Sequence, residues 1–128
     1  MDRQVISTGQ APPAIGPYSQ AIVAGGLVFC SGTAGIDPVT GEIPAGIAEQ
    51  TRLALRNLEA ILTAAGASLS TLVKTTIFYR DLADFATINE IYAAHMPDPP
   101  PARSAPAGAQ LPRGLLISIE AIATVTPS

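Results

Sequence analysis

The sequence is poor in charged residues, and basic side chains are the scarcer of the two signs. Only 13% of its 128 residues are charged, against roughly 25% in a typical soluble protein. Lysine and arginine together number seven, Lys74 is the single lysine, and the formal net charge is -3. Phosphate backbones are bound by clusters of basic side chains, so we expect no nucleic-acid partner. The scarcity of charge also indicates that part of the surface is covered, most simply by self-association.

Cysteine and histidine occur once each, as Cys30 and His95. A lone cysteine cannot form a disulfide within the chain, which is typical of a reducing compartment. Two such residues also exclude a Cys/His metal cluster. As a nucleophile–base pair they are disfavoured, because Cys30 has the apolar neighbours of a buried core thiol. His95, at a predicted helix end, is better placed to contact the last carbonyl groups.

Long apolar runs are missing as well. No run approaches the roughly 20 residues that a membrane span requires. The first seven residues lack the apolar stretch of a signal peptide. There is also no glycine-rich phosphate loop and no nucleophile elbow. We therefore expect a single soluble, cytoplasmic domain over residues 1–128.

The elements that are present alternate between strand and helix patterns. Residues 21–31 predict a hairpin that turns at Gly25-Gly26, because such a turn needs positive φ values. Residues 47–65 predict a helix that ends in a cap at Gly66. The buried stripe of this helix is expected to comprise Thr51, Leu55, Leu58, Ile61, Leu62 and Ala65.

The second half of the chain repeats this alternation. Residues 71–80 are β-branched and aromatic and predict a strand. A second helix, capped by Asp81 or Asp84, is expected to end before a stiff proline-rich connector at residues 97–101. Its apolar face comprises Phe85, Ile88, Ile91 and Tyr92. A last strand over residues 115–125 is apolar on both faces, which predicts an α+β sheet with two helices on one face and another subunit on the other.

Three residues stand out as candidates for chemistry. Glu120 is a carboxylate in an apolar strand, where it needs a partner, a water molecule or a role in proton transfer. Arg103 follows the proline-rich connector, and a stiffly held guanidinium suits the binding of a carboxylate. Tyr18 is a loop aromatic that can wall a pocket. The alternatives are a solvated or ion-paired Glu120, an ordinary surface Arg103 and a Tyr18 that packs in the core.

At these positions the sequence resembles the RidA/YjgF family of small enamine/imine deaminases. The matching segments run in the family's order over nearly the whole chain. They are residues 14–21, 31–33, 37–42, 73–78, 84–89 with Tyr92, 101–104 and 119–123. The resemblance implies a chorismate-mutase-like fold, a mixed sheet with two helices on one face. It also implies a homotrimer with active sites between subunits, and a reaction without metal or cofactor.

The family reaction is the hydrolysis of 2-imino acids, such as 2-iminopropanoate (from 2-aminoacrylate) and 2-iminobutanoate, to 2-keto acids and ammonia. By position, Arg103 matches the arginine that clamps the substrate carboxylate, and Gly32 matches a glycine whose backbone approaches that carboxylate. Glu120 matches the acidic residue that places or deprotonates the attacking water. The remaining positions expected to bind substrate are Tyr18, Ser31, Asn89 and Ala105.

The sequence departs from the family pattern beside the clamp. Ala105-Pro106 replaces a cysteine and a β-branched residue, which leaves only the Ala105 carbonyl to hold a water, and Pro106 lacks a strand donor. Thr33 stands where glutamine is frequent. Two alternatives to the leading function therefore stay open: a divergent deaminase for another pathway-specific enamine acid, and a non-catalytic binding or chaperone-like trimer. The RNA-cleaving label also attached to the family has little support in a chain without a basic stripe.

Overall fold

A computed structural model describes residues 2–126, in which six strands form one mixed sheet. The strand order is β1-β2-β3-β6-β4-β5, and every neighbouring pair is antiparallel except the parallel pair of β4 and β5. The strands are β1 (Gln4–Ile6), β2 (Ala21–Ala24), β3 (Leu27–Ala34), β4 (Leu72–Tyr79), β5 (Ala102–Ser104) and β6 (Ile117–Thr124). The last strand in the sequence therefore lies at the centre of the sheet, between β3 and β4.

Two helices cover one face of this sheet. Helix α1 (Ile47–Ala64) packs on β3 and β6, and helix α2 (Phe85–His95) packs beside it. All six residues of the predicted α1 stripe are buried. The residues of β6 alternate between buried positions under the helices and more exposed positions on the other face. The α+β prediction, with two helices on one face, is thus confirmed.

The face without helices is open in the single chain, and it is partly apolar. Phe29 and Val73 are 43% and 46% exposed on it. Ile122 lies opposite Phe29 in the sheet register and is partly buried. Such a face is normally covered when a protein assembles. We call the surface formed by the outward residues of β3, β4 and β6 the open sheet face.

The structure has the predicted hairpin turn and the predicted helix stop, both at glycines with positive φ. Gly25 and Gly26 have φ values of 59° and 78°, which are those of a two-residue hairpin turn. Gly66, at φ 80°, follows the last turn of α1, where the Ala67 N–H donates to the Leu62 carbonyl at 2.8 Å. The glycine therefore serves as the predicted helix stop.

One local prediction was wrong. Neither Asp81 nor Asp84 caps α2 through its side chain. The chain enters α2 through a 3-10 turn over Leu82–Asp84, so Asp84 already has helical backbone angles, φ -87° and ψ -5°. A side-chain cap requires an extended backbone at the capping residue. Because the 3-10 turn runs directly into α2, Asp84 lacks the extended backbone that a capping aspartate needs.

Candidate active site

Arg103 is held in a fixed position against helix α2. Its Nη1 donates a hydrogen bond to Asn89 Oδ1 at 2.7 Å. Its Cζ lies 5.0 Å from the ring centre of Tyr92 and 5.6 Å from that of Phe85. Both distances are typical of cation–π contacts. The guanidinium is therefore oriented by three side chains while its other N–H groups stay available.

The residues that hold Arg103 are themselves anchored. The Tyr92 and Thr75 hydroxyl oxygens lie 2.6 Å apart in a buried hydrogen bond. The Phe85 ring stacks on Tyr79 with ring centres 6.0 Å apart. Arg103 makes no ion pair with any residue in 2–126. An exposed arginine that is oriented but unpaired is suited to bind an anion from outside the chain.

A second group of predicted site residues meets at a bulge in strand β3. Cys30 pairs with Ala121 and Thr33 pairs with Ile119, so the register shifts between them. Ser31 and Gly32 consequently lie opposite the single residue Glu120. Bulges of this kind redirect side chains and often lie beside functional sites. This one brings three of the predicted residues together.

Gly32 keeps this region open. A Cβ at this position would lie 2.7 Å from Ser118 Oγ, so any larger residue would have to displace that side chain. Ser31 is bonded to the loop before β2, since its Oγ donates to the Ser19 carbonyl at 2.6 Å. The same loop carries Tyr18, which is 49% exposed and whose hydroxyl accepts the Ile15 N–H at 3.4 Å.

A cavity of about 520 Å³ lies beside the bulge. Tyr18, Ser31 and Gly32 all line it. Two loops form the opposite rim: residues 36–41 and residues 111–113. Asp37 folds the first of these loops, because its Oδ1 accepts the N–H groups of Val39 at 2.8 Å and Thr40 at 3.0 Å. The hydrogen bonds from Thr40 and Val39 hold the pKa of Asp37 below its usual value.

Glu120 lines a smaller cavity of about 210 Å³ on the open sheet face. Lys74 and Thr76 of β4 share this cavity, and Thr76 is paired with Glu120 in the register. The floor includes Phe29 and Ile122. Glu120 is exposed here, not buried as a charge among apolar neighbours. Its carboxylate is therefore accessible to a ligand or a water molecule.

The two groups of site residues are separated within one chain. Arg103 pairs with Thr75, whose side chain contacts Tyr92 on the helix side of the sheet. Glu120 pairs with Thr76, the next residue, so its side chain points to the opposite face. Strands β5 and β3 are also three strand spacings apart, about 14 Å. Arg103 and Asn89 are thus in contact, and Gly32, Ser31 and Glu120 are neighbours in the sheet register, but the two groups do not meet in the chain.

Ala105 lies just beyond the Arg103 strand. It is partly buried and packs against the core. Strand β5 ends at Ser104, before Pro106, which agrees with the missing strand donor of that proline. Irregular pairing continues from there, because the Tyr79 N–H donates to the Pro106 carbonyl at 3.4 Å.

The lone cysteine and histidine take the structural roles that the sequence favoured. Cys30 is 6% exposed in β3, and burial raises the pKa of its thiol to about 12. Such a thiol is not a nucleophile at neutral pH. His95 Nδ1 lies 2.8 Å from the Ile91 carbonyl in the last turn of α2.

The His, Cys, Asp and Glu side chains of residues 2–126 form no group of three or more that could hold a metal ion. None of the helices in this range is long and apolar enough to cross a membrane.

Sequence reasoning missed several residues of this region. Phe85 was placed on the apolar face of α2, but its contact with the Arg103 guanidinium was not foreseen. Arg113 and Ser118, which line the larger cavity, were also missed. The signal that could have found Arg113 is the turn sequence Leu111-Pro112-Arg113-Gly114, a Pro/Gly-marked loop that carries one of the few cations.

Comparison with known proteins identifies the family. The sequence model of the family described as endoribonuclease L-PSP matches residues 8–125. The chain belongs to this family. It is the RidA/YjgF family that the sequence resembles, so that prediction is confirmed.

Relatives of this RidA/YjgF family member are similar over nearly its whole length. It is 48% identical to the 2-iminobutanoate/2-iminopropanoate deaminase of Mus musculus, over 98% of the chain and 93% of that protein. It is 52% identical to the chloroplastic Reactive Intermediate Deaminase A of Arabidopsis thaliana, over 96% of the chain and 66% of that protein. The crystal structure of E. coli TdcF with bound serine matches with a TM-score of 0.89 and 45% identity, over 96% of the chain and 99% of that structure.

Proposed function

We propose that this protein is a hydrolytic deaminase that converts 2-imino acids, including 2-iminopropanoate and 2-iminobutanoate, to 2-keto acids and ammonia. The observation that carries the proposal is the Arg103 guanidinium, which is oriented by Asn89 and two rings and has no ion-pair partner in residues 2–126. Two relatives that share about half of the sequence are named as deaminases of this kind. A third, solved with bound serine, holds a small amino acid.

In this mechanism Arg103 binds the carboxylate that every 2-imino acid carries. A guanidinium and a carboxylate can form two parallel hydrogen bonds, which fix the direction of the substrate as well as its position. Gly32 lets the backbone of the bulge approach the same carboxylate from the other side. Orientation matters here because a protonated imine carbon is already electrophilic, and positioning then supplies much of the rate.

Glu120 provides the proton transfer. A water oxygen adds to the imine carbon while the Glu120 carboxylate accepts a proton from that water. The Glu120 carboxylic acid then protonates the nitrogen of the resulting carbinolamine, the C–N bond breaks as the C=O bond forms, and the hydroxyl proton leaves with the ammonia as ammonium. The products are one keto acid and one ammonia for each imine and water consumed. Neither step requires a metal or a cofactor.

The separation of Arg103 from Glu120 supports a site that is shared between two copies of the chain. A substrate of four carbons cannot touch both residues of one chain, because they point to opposite faces of the sheet. The open sheet face offers the partly apolar surface that another copy would cover. We propose a homotrimer in which Arg103, Asn89 and Ala105 of one copy meet Tyr18, Ser31, Gly32 and Glu120 of the next.

The charge of the chain and its free thiol bear on its partners and compartment. The net charge of -3 does not favour RNA as a partner, despite the endoribonuclease description of the family. We propose the cytoplasm as the compartment, because the buried free thiol of Cys30 is compatible with a reducing environment. The pathway that supplies the imine is set by the enzymes around it and not by these residues.

The proposal is tested by making the imine in situ. A threonine or serine dehydratase releases 2-iminobutanoate or 2-aminoacrylate, and semicarbazide traps what remains. The wild-type protein should accelerate the loss of trappable imine. Arg103→Ala should lower kcat/KM about a hundredfold or more, since it removes two charge-assisted bonds that contribute about 1.5–3 kcal/mol each. Glu120→Gln should lower kcat. Arg52→Ala, an exposed arginine on α1, is the matched control.

Two results would contradict this assignment. If the wild-type protein leaves the imine lifetime unchanged, the protein is not a deaminase of these acids. If Arg103→Ala lowers the rate no more than Arg52→Ala does, the carboxylate is bound elsewhere. Size-exclusion chromatography of each variant separates a lost contact from a lost assembly.

A further inference from the structure

Arg113 is in an unusual place in this fold. It is the only residue other than glycine in 2–126 with φ in the left-handed region, at 61°. Long side chains rarely adopt this conformation, and residues that do are concentrated at functional sites. The turn over Pro112–Gly114 holds it at the rim of the 520 Å³ cavity.

The Arg113 side chain connects the two loops of this rim. Its Nη2 donates to the Gly41 carbonyl at 3.2 Å, across 72 positions of the sequence. A guanidinium has further N–H groups beyond the one used here. The residue is exposed, and no carboxylate in residues 2–126 forms an ion pair with it.

The cavity has one other charged residue in its lining, Asp37. The Oδ1 of Asp37 is occupied by the N–H groups of Val39 and Thr40. Asp37 stays ionised, because these hydrogen bonds lower its pKa, and Arg113 is the one cation in the lining. The rest of the lining is rich in apolar residues: Pro12, Pro13, Ile15, Val39, Leu111 and Pro112.

The cavity is also larger than a three- or four-carbon acid requires. Its volume falls in the range of about 300–1,000 Å³ that is usual for larger ligands. Because Tyr18, Ser31 and Gly32 line the same cavity, a substrate that reacts at the bulge can extend its side chain toward Arg113. Such a side chain would contact apolar surface first and a cation at its end.

We propose that Arg113 binds the distal carboxylate of a dicarboxylic 2-imino acid, such as the imine of glutamate, and thereby extends the substrate range of the enzyme. This inference rests on the deaminase function proposed above. The methylene groups of the substrate lie against the apolar lining, and the guanidinium pairs with the terminal carboxylate. The same hydrolysis then yields a dicarboxylic keto acid and ammonia.

The test compares two imines of similar length. L-glutamate oxidase makes the imine of glutamate, and L-amino-acid oxidase makes that of methionine, with catalase present and semicarbazide as the trap. Arg113→Asn removes the charge with a residue that tolerates positive φ. We expect it to lower kcat/KM for the glutamate imine about tenfold relative to the methionine imine. Arg113→Lys should retain most of the preference, and Arg52→Asn should leave the ratio as in the wild type.

Two outcomes would overturn the inference. In the first, Arg113→Asn leaves the ratio of the two kcat/KM values unchanged, whether it lowers both equally or neither, and Arg113 then only joins its loop to Gly41. In the second, the wild type hydrolyses the methionine imine readily but the glutamate imine more than tenfold more slowly. The second outcome is read on the wild-type protein and needs no folded variant. If neither imine is hydrolysed, the deaminase proposal has failed instead.

Discussion

At the scale of single residues, Asn89 affects how strongly the Arg103 guanidinium can bind a substrate carboxylate. Its amide oxygen occupies one N–H of Arg103 at 2.7 Å without neutralising the charge. Asn89→Asp would place a carboxylate at the same distance, and that carboxylate would compete with the substrate for the cation. We expect Asn89→Asp to raise KM for 2-iminobutanoate about tenfold. Asn89→Ala should raise it less, because Phe85 and Tyr92 still orient the guanidinium. Equal KM values for the two variants would contradict this role.

Cys30 provides a second prediction at this scale. Burial raises its thiol pKa to about 12, whereas the pKa of an unfolded cysteine is about 8.5. The native protein should therefore resist an aromatic disulfide reagent at neutral pH and react fully once unfolded. Rapid labelling of the native protein would show that the thiol is accessible.

The sign of the pH effect follows from the same shift. A folded pKa above the unfolded one means that the contribution of Cys30 is complete below about pH 8.5 and is lost as the pH rises toward 12. Cys30→Ala removes this titration. The free energy of unfolding of the wild type should therefore fall relative to that of the variant between pH 8 and pH 10. Chemical denaturation at the two pH values measures the difference.

At the scale of the elements, Gly35 sets how closely β3 approaches the start of α1. A Cβ at this position would lie only 2.3 Å from the Gln50 carbonyl oxygen, which is backbone and cannot rotate away. Gln50 is itself fixed, because its side chain donates to the Pro44 carbonyl at 2.9 Å and accepts the Leu116 N–H at 2.9 Å. Gly35→Ala should therefore push the helix from the sheet and cost about 1–3 kcal/mol of unfolding free energy. Thermal and chemical denaturation measure this loss.

The matched control for this prediction is Gly9→Ala. A Cβ on Gly9 meets nothing within 4 Å, and its φ lies outside the left-handed range. This substitution should change the free energy of unfolding by no more than about 0.5 kcal/mol. Similar changes in unfolding free energy for Gly35→Ala and Gly9→Ala would contradict this role of Gly35, because they would show that α1 can move away from the sheet without loss of stability.

The elements could be predicted from the sequence because their signals are local. The stripe of α1, the Gly25-Gly26 turn and the apolar pattern of β6 each depend on neighbours within a few residues. Polar side chains that bridge distant segments gave no such signal. Asn57 is buried in α1, and its Nδ2 donates to the carbonyls of Ala34 and Ile36 at 3.0 and 2.9 Å. The position of Asn57 in the helical pattern is that of any core residue, so the pattern does not indicate these hydrogen bonds.

The candidate site was predictable only in part, for a related reason. Arg103 and Glu120 were identified as residue types in unusual surroundings and by family resemblance. Their placement on opposite faces depends on β6 lying between β3 and β4, and on the registers that pair Arg103 with Thr75 and Glu120 with Thr76. Strand order and register are tertiary properties, so no local pattern carries them.

At the scale of the whole molecule, the low charge of the chain and the split site point to the same cause. The sequence indicated a covered surface, and the open sheet face is the surface that needs a cover. It carries Glu120 and, at its margin, the bulge with Gly32. A contact between copies here would bury apolar area and bring the second half of the site to Arg103.

A mixing experiment tests this shared site without any structure of the assembly. We expect Arg103→Ala chains and Glu120→Gln chains each to have little activity alone. If every site takes Arg103 from one copy and Glu120 from the next, unfolding and refolding an equal mixture should restore full activity to about a quarter of the sites in a cyclic trimer. The recovery should be absent when the two folded variants are mixed without exchange of subunits. An equal mixture that stays as inactive as its parents after refolding, while eluting as a trimer, would place both residues in one chain and contradict the shared site.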